Sequence, residues 1–211
     1  MRQSLSKDNT MLVSGIKSRP VYTGLNLDPY AAHHLIAAEG EGALAVLDML
    51  SAAPRDAVEK ATILYTKAGS APVDHEGALA NLHPYRLQPL PTIQTLLIRL
   101  QGFLTTAKMG TRLYIAGTEG FIGQAMQVAL NNAIDFHSIR TEHRGSMARR
   151  IQCVHCKGFT ENVTMSHVPC AHCGLNLLVR DHYSRRLGAF QGVCIDAEVP
   201  GELPPAEEIF P

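Results

Sequence analysis

The stretch His34-Leu35-Ile36-Ala37-Ala38-Glu39-Gly40-Glu41-Gly42-Ala43-Leu44-Ala45 decides the fold. A short apolar run from His34 to Ala37 meets a pair of glycines and then passes into helical spacing. Ala43, Leu44, Leu47 and Leu50 fall on one face, and Pro54 stops the helix. Next comes Ala61-Thr62-Ile63-Leu64-Tyr65-Thr66, a run rich in β-formers and closed by Gly69. Together these segments predict a βαβ unit. A Pro-rich connection follows (Pro84, Pro89, Pro91), and then the alternation resumes. Thr92 to Lys108 predicts a helix burying Ile93, Leu96, Leu97, Leu100 and Leu104. Leu113 to Ala116 predicts a strand, Gly117-Thr118-Glu119-Gly120 a turn, Phe121 to Asn131 a helix and Phe136 to Thr141 a last strand. Strands and helices alternating at these lengths predict an α/β fold, a Rossmann-like parallel sheet with helices on both faces.

Length and charge set the frame around that unit. At 211 residues and about 150 residues per domain, one medium domain and a small module are expected. With 45% hydrophobic and 18% charged residues the chain can bury a real core. Lys and Arg balance Asp and Glu, 19 against 19, so there is no overall field to hold a polyanion. The local balance is uneven. From Arg140 to Arg186 eight bases (Arg140, Arg144, Arg149, Arg150, Lys157, Arg180, Arg185, Arg186) face three acids; after Arg186 five acids stand with no Lys or Arg. Four segments are expected: an arm over 1–28, the α/β domain over 29–145, a small cysteine module over 146–186, and an acidic, Pro-containing tail over 187–211 with the simplest reading that it is solvated. Met1 to Thr10 is polar, and no apolar run approaches the roughly 20 residues a bilayer needs. Neither a signal peptide nor a membrane span is expected, which makes a cytoplasmic setting with reduced thiols the simplest expectation.

In that setting clustered cysteines hold a metal more often than a disulfide. Cys153-x-x-Cys156 and Cys170-x-x-Cys173 are separated by thirteen residues. Each pair can turn two thiolates toward one ion, and two such knuckles complete a tetrahedral S₄ site. Zinc is favoured over iron, because Cys170-Ala-His-Cys173-Gly lacks the Pro common in rubredoxin-like knuckles; iron on the same ligands would carry an electron instead. His155, His167 and His172 stand among these cysteines but are expected to be surface or supporting residues, since four thiolates saturate the ion. Cys194 stands alone and is expected to be a small core residue.

Gly40-Glu41-Gly42-Ala43-Leu44-Ala45 matches a dinucleotide fingerprint in its strand-to-helix context. Glu39 and Glu41 oppose it: they would set carboxylates beside a pyrophosphate, where the backbone amides and the helix N-terminus should be the positive partners. No Arg or Lys in the loop compensates, so no bound nucleotide is expected. The order of Leu113-Tyr114-Ile115-Ala116-Gly117-Thr118-Glu119-Gly120 and Ile139-Arg140-Thr141-Glu142 resembles the NAD(P)-binding half of ferredoxin-reductase-like flavoenzymes over about residues 30 to 145. Ala116 and Thr118 replace that family's Cys and Pro. The resemblance implies a nucleotide fold that has lost its nucleotide.

Cys170-Ala-His-Cys173-Gly174-Leu175, Val179-Arg180-Asp181-His182-Tyr183-Ser184-Arg185-Arg186 and Ala189-Phe190-Gln191-Gly192-Val193 closely resemble the C-terminal ribbon of the small accessory subunit of bacterial dimethylamine monooxygenase. That resemblance implies membership of an enzyme that demethylates dimethylamine to methylamine and formaldehyde with O₂ and NADPH. It places haem on an oxygenase partner subunit, and FMN and iron–sulfur on a reductase partner subunit. What carries over to this chain is the Cys₄ site and a place in the complex, with no catalytic residue of its own and no nucleic-acid or membrane partner. His182, Tyr183, Arg185, Arg186 and Phe190 are expected on or near an exposed basic surface of the module, although a hairpin core accounts for Tyr183 and Phe190 equally well. The alternatives are a rubredoxin-like iron carrier, an NAD(P)-binding protein, and a nucleic-acid-binding ribbon using Arg149, Arg150, Lys157 and Arg180.

Overall fold

The computed structural model describes residues 18–67 and 73–211. Met1–Thr10 and the turn at Gly69 lie outside the described residues. The first sheet contains β1 (His33–Glu39), β2 (Ala61–Thr66), β3 (Arg86–Pro89), β4 (Thr111–Gly117) and β5 (Ile139–His143). They lie in the order β3-β2-β1-β4-β5, and every neighbouring pair is parallel. Helices α1 (Gly42–Ser51), α2 (Arg55–Val58), α3 (Glu76–Ala80), α4 (Ile93–Thr105) and α5 (Glu119–Asn131) supply the connections. Ala45, Val46, Met49 and Leu50 of α1 pack with Leu79 of α3 against Ile36, Ile63 and Tyr65. On the opposite face Leu96, Leu100 and Leu104 of α4 and Phe121, Ile122 and Ala125 of α5 cover Leu35, Leu64 and Ile115. Burying each large side chain of these two layers is worth about 1.5–3 kcal/mol, and this pins the sheet between helices as parallel strands require.

Three elements depart from the sequence expectation. The Pro-rich connection contains β3, which tolerates Pro89 because it is the edge strand and no outer ladder needs the missing N–H. Leu44 and Leu47 are only half-buried, because α1 turns Ala45, Val46 and Met49 inward instead. Phe136–Ser138 forms a 3₁₀ turn, capped where Asp135 accepts the His137 N–H, so the last parallel strand begins at Ile139.

The second sheet is built from β6 (Arg149–Cys153), β7 (Phe159–Val163), β8 (His167–Pro169), β9 (Asn176–Ser184) and β10 (Ala189–Cys194), in the order β7-β6-β10-β9-β8. It does not stop at Arg186: β10 lies inside the sheet, parallel to β6 and antiparallel to β9. Nor is the acidic tail simply solvated. The N–H groups of Ile209 and Phe210 donate to the Thr164 carbonyl, Ser166 N–H donates to Glu207 O, and Phe210 is buried.

Arg149 is what the tail closes over. Its guanidinium lies 3.9 Å from the centroid of Phe190 and 3.8 Å from that of Phe210, and pairs with Asp181 Oδ1 at 2.7 Å. Rings on both faces and a carboxylate at the edge are what make a desolvated guanidinium tolerable. Asp181 also accepts from Arg19 Nε at 3.1 Å, and Ser18 N–H donates to Asp181 O, which ties the arm to β9. The Phe190 and Tyr183 rings meet edge-on at 5.1 Å, so both belong to this core and are not exposed on the basic surface. His182, Arg185 and Arg186 do remain exposed.

The two sheets meet where α5 crosses the β9–β10 turn. A methyl group on Gly123 would lie 2.8 Å from Gly188 O, and one on Gly188 would lie 2.7 Å from Gly123 C; Gly188 itself has φ +57. Glu119, in the first turn of α5, is buried beside this contact. Burial pushes its carboxyl above the usual range, against the pull of Arg149, His143 and Tyr22.

Two outcomes follow from this junction. Gly123→Ala should destabilise the protein by about 1–3 kcal/mol, since neither backbone can retreat. Gly120→Ala on the same helix, whose added methyl meets only Arg150 Cβ at 3.6 Å, should be neutral or gain about 0.5–1 kcal/mol. Paired thermal melts check the opposite signs. Glu119→Gln should gain stability over the parent as pH rises. Below the ordinary value of 4.5 both folded and unfolded carboxyls are protonated and the residue contributes nothing. Above it the unfolded chain gives up its proton first, and the folded state loses ground. Melting curves at about pH 4 and pH 8 measure that gain, and a gain equal at both would refute the buried acid.

Candidate metal centre

Cys153 ends β6 and Cys170 follows β8, so a strand end delivers the first cysteine of each pair. The two turns that follow are built alike. Cys153 N–H donates to Gly158 O and Lys157 N–H to Cys153 O; Cys170 N–H donates to Leu175 O and Gly174 N–H to Cys170 O. The residue after each second cysteine is left-handed, Lys157 at φ +64 and Gly174 at φ +74. Glycine is the natural occupant of that position, so the first turn carries strain at Lys157 that the second avoids. Its side chain offsets some of it by donating from Nζ to Val154 O at 2.6 Å.

The result is four sulfur atoms within 4.8 Å of one another. Cys153 Sγ lies 3.8 Å from Cys173 Sγ, and Cys156 Sγ lies 3.7 Å from Cys170 Sγ. A tetrahedral ion with bonds of about 2.3 Å places its sulfurs about 3.8 Å apart, the separation found across these two pairs, so the quartet is of the size that holds one ion. Amide hydrogens face the sulfurs: Gly158 N–H points to Cys156 Sγ at 3.4 Å and His172 N–H to Cys170 Sγ at 3.5 Å. Burial works to raise the Cys170 thiol, but the Cys173 and His172 amides and the neighbouring sulfurs bring it down to about 6. Cys153 and Cys170 are buried, while Cys156 and Cys173 lie toward solvent.

The histidines are held elsewhere. His172 Nε2 lies 2.9 Å from Phe159 O, and its ring lies flat against Gly158, where a methyl group would come within 2.4 Å of it. His155 is exposed, and His167 Nδ1 lies 3.4 Å from Ser166 Oγ. Cys194 Sγ lies 3.2 Å from Asp196 Oδ1 at the end of β10.

The glycine turn after β1 proves to be a packing device. Gly40 has φ +52, and a methyl on Gly42 would lie 2.1 Å from Ala116 O, so α1 and β4 touch through bare backbone. Glu39 is buried, and its Oε2 accepts the Thr118 N–H at 2.8 Å at the start of α5. The chain leaving β5 then crosses the crevice between β1 and β4. Arg144 N–H donates to Gly117 O, and Gly145 lies over Glu41 and Thr118. Parallel sheets of this kind bind nucleotides at that crevice, where the strand order reverses. Here its walls hold a carboxylate and its mouth holds the connection to the second sheet. A cavity of about 450 Å³ remains, lined by Glu39, Thr118, Gln124, Ser146, Arg150 and Glu161.

The buried Arg149–Asp181 pair has no counterpart in the sequence reading. Arg149, Ile151 and Cys153 alternate with Arg150 and Gln152 in the burial pattern of β6, and that period of two would have placed Arg149 inward with the cysteine.

Comparison with known proteins gives two adjacent family matches. The model described as dimethylamine monooxygenase subunit DmmA-like, N-terminal domain, matches residues 14–139, and its C-terminal domain counterpart matches residues 150–193. A curated relative, the heme-dependent oxidative N-demethylase delta subunit of Ectopseudomonas mendocina (strain ymp), is 28% identical over 183 residues, 87% of this chain and 91% of that protein. Among solved structures, full-length CYP116B46 from Tepidiphilus thermophilus aligns at 18% identity and TM-score 0.43, over 64% of this chain and 19% of that one. The siderophore-interacting protein SipS from Aeromonas hydrophila aligns at 15% identity and TM-score 0.40, over 56% of this chain and 52% of that one. The strand order itself, and not these partial overlaps, defines the fold.

If the sulfur quartet closes on an ion, chelation has a local signature. Amide hydrogen exchange in β6, β9 and β10 should accelerate by orders of magnitude, while β1, β2 and β4 keep their protection. Cys153→Ser should lower bound metal from one ion per chain to none, with the same pattern of exchange.

Proposed function

The chain belongs to the dimethylamine monooxygenase subunit DmmA-like family, and on that premise we propose that it is the accessory subunit of an oxidative N-demethylating monooxygenase. The observation that carries this reading is the sulfur quartet of Cys153, Cys156, Cys170 and Cys173, set in a small sheet fastened to an α/β body whose crevice is crossed by the connection to that sheet. Such an arrangement supplies shape. We assign the quartet to zinc: an ion without redox chemistry that gives a loop-rich module the closure its own core is too small to provide. The eight buried groups of that core, from Ile151 to Phe210, include two of the cysteines themselves.

In this reading the chemistry belongs to partner subunits, an oxygenase carrying haem and a reductase carrying FMN and iron–sulfur, acting on dimethylamine with O₂ and NADPH. The relative's name supports the haem and the demethylation. Among the described residues no helix is long and apolar enough to cross a membrane, in keeping with an assembly that works in the cytoplasm. His182, Arg185 and Arg186, exposed beside the junction, form one docking face.

Co-purification with tagged oxygenase and reductase subunits tests the assignment. The parent chain should be retained with stoichiometric zinc and no colour, and Cys153→Ser/Cys170→Ser should weaken retention by at least about tenfold. Equal retention of the variant would remove the role of the module, and a red protein with stoichiometric iron would replace zinc.

A further inference from the structure

In a parallel sheet all strand starts share one edge, and here that edge lies at the end of the α/β body away from the crevice and the second sheet. Three residues just ahead of strands stand out from it: Tyr30 before β1 is 92% exposed, Tyr85 before β3 is 66% exposed, and Met109 before β4 is 99% exposed. Two of them, Tyr85 and Met109, are joined through His33. The Tyr85 ring meets His33 edge-on at 6.4 Å, and Met109 and His33 line the same cavity of about 370 Å³ with Leu35, Phe103, Ala107 and Lys108. Arg86 lies over the Tyr85 ring at 5.7 Å and over Phe103 at 5.9 Å, and Arg99 also lies over Phe103, at 5.2 Å.

The charges around this patch are unanswered. Nearby Arg55, Lys60 and Arg112 have acid partners in Glu59, Asp56 and Asp28. Arg86, Arg99 and Lys108 are exposed and pair with no carboxylate among the described residues. Aromatic, Met and Arg side chains around a pocket are the composition of an interface centre, and unpaired cations at its rim set the charge of what fits.

We infer that this edge is a second docking face, and that its occupant is a subunit of the same complex presenting carboxylates around an apolar side chain that enters the pocket. A second copy of this chain is disfavoured, since it would bring the same three cations against themselves. Nucleic acid would satisfy the cations but leave the apolar pocket and Met109 without a role. The inference rests on the accessory-subunit reading and adds to it the geometry of a bridge, one partner at the strand starts and another at the ribbon end.

The test uses the full chain and separately purified oxygenase and reductase subunits. Two double variants, Tyr85→Ser/Met109→Ser and Arg86→Glu/Arg99→Glu, should each weaken binding to one subunit by about tenfold or more. Binding to the other subunit and the melting curve should stay unchanged, and added salt should weaken the parent interaction. Unaltered binding by both variants overturns the face and leaves the accessory role standing. A parent chain that binds neither subunit overturns the accessory role itself. Variant-sensitive binding to phosphatidylglycerol vesicles or duplex DNA, with no variant-sensitive subunit, overturns the protein occupant.

Discussion

One guanidinium holds the separate pieces of this molecule in register. Arg149 begins the second sheet, yet its contacts come from everywhere else: Asp181 on β9, Phe190 on β10 and Phe210 from the tail, with Glu119 of α5 and, through Asp181, Arg19 of the arm drawn into the same field. Among the described residues its Nη1 has no hydrogen-bond partner, and burial lowers its pKa against the opposing pull of Asp181. A charge so placed cannot be left alone, because removing any one neighbour exposes the cost of keeping it out of water. The arm, the tail and the helix are therefore not independent attachments. Each completes the same desolvated site.

The crevice between β1 and β4 is likewise occupied by the chain's own groups. The glycines that would let a backbone approach a pyrophosphate are present, but Gly42 spends its missing side chain on Ala116, and Gly117 leaves room for the Glu39 carboxylate. The N–H of Thr118 that an anion would seek is already taken by Glu39. Residues 144–148 then run across the crevice on their way to β6. The position where such folds usually receive a ligand has become the position where this one receives its own second half.

Much of the body was legible in the sequence because its elements are decided locally. Ala61–Thr66 is a run of β-formers that is buried at every position, and the Leu96, Leu100, Leu104 spacing admits only one helix face. The cysteine pairs were equally plain, since their spacing is itself the geometry of the knuckle. What stayed hidden depends on distant partners. Arg149 looks like surface charge until Phe190 and Phe210 arrive from 41 and 61 residues later in the sequence. The tail looks solvated because its acids outnumber the one ring that anchors it, and β3 passes for a Pro-rich connection until the sheet order shows Pro89 on an edge strand that needs no outer neighbour.

The central place of β10 sets an order of events during synthesis. β6 and β9 share no ladder except through Ala189–Cys194. Until those residues leave the ribosome, the two knuckles are carried on hairpins with no common seam. The sulfur quartet can therefore assemble only once that final strand has been made and inserted, which keeps the two cysteine pairs apart for as long as Ala189–Cys194 remain unsynthesised.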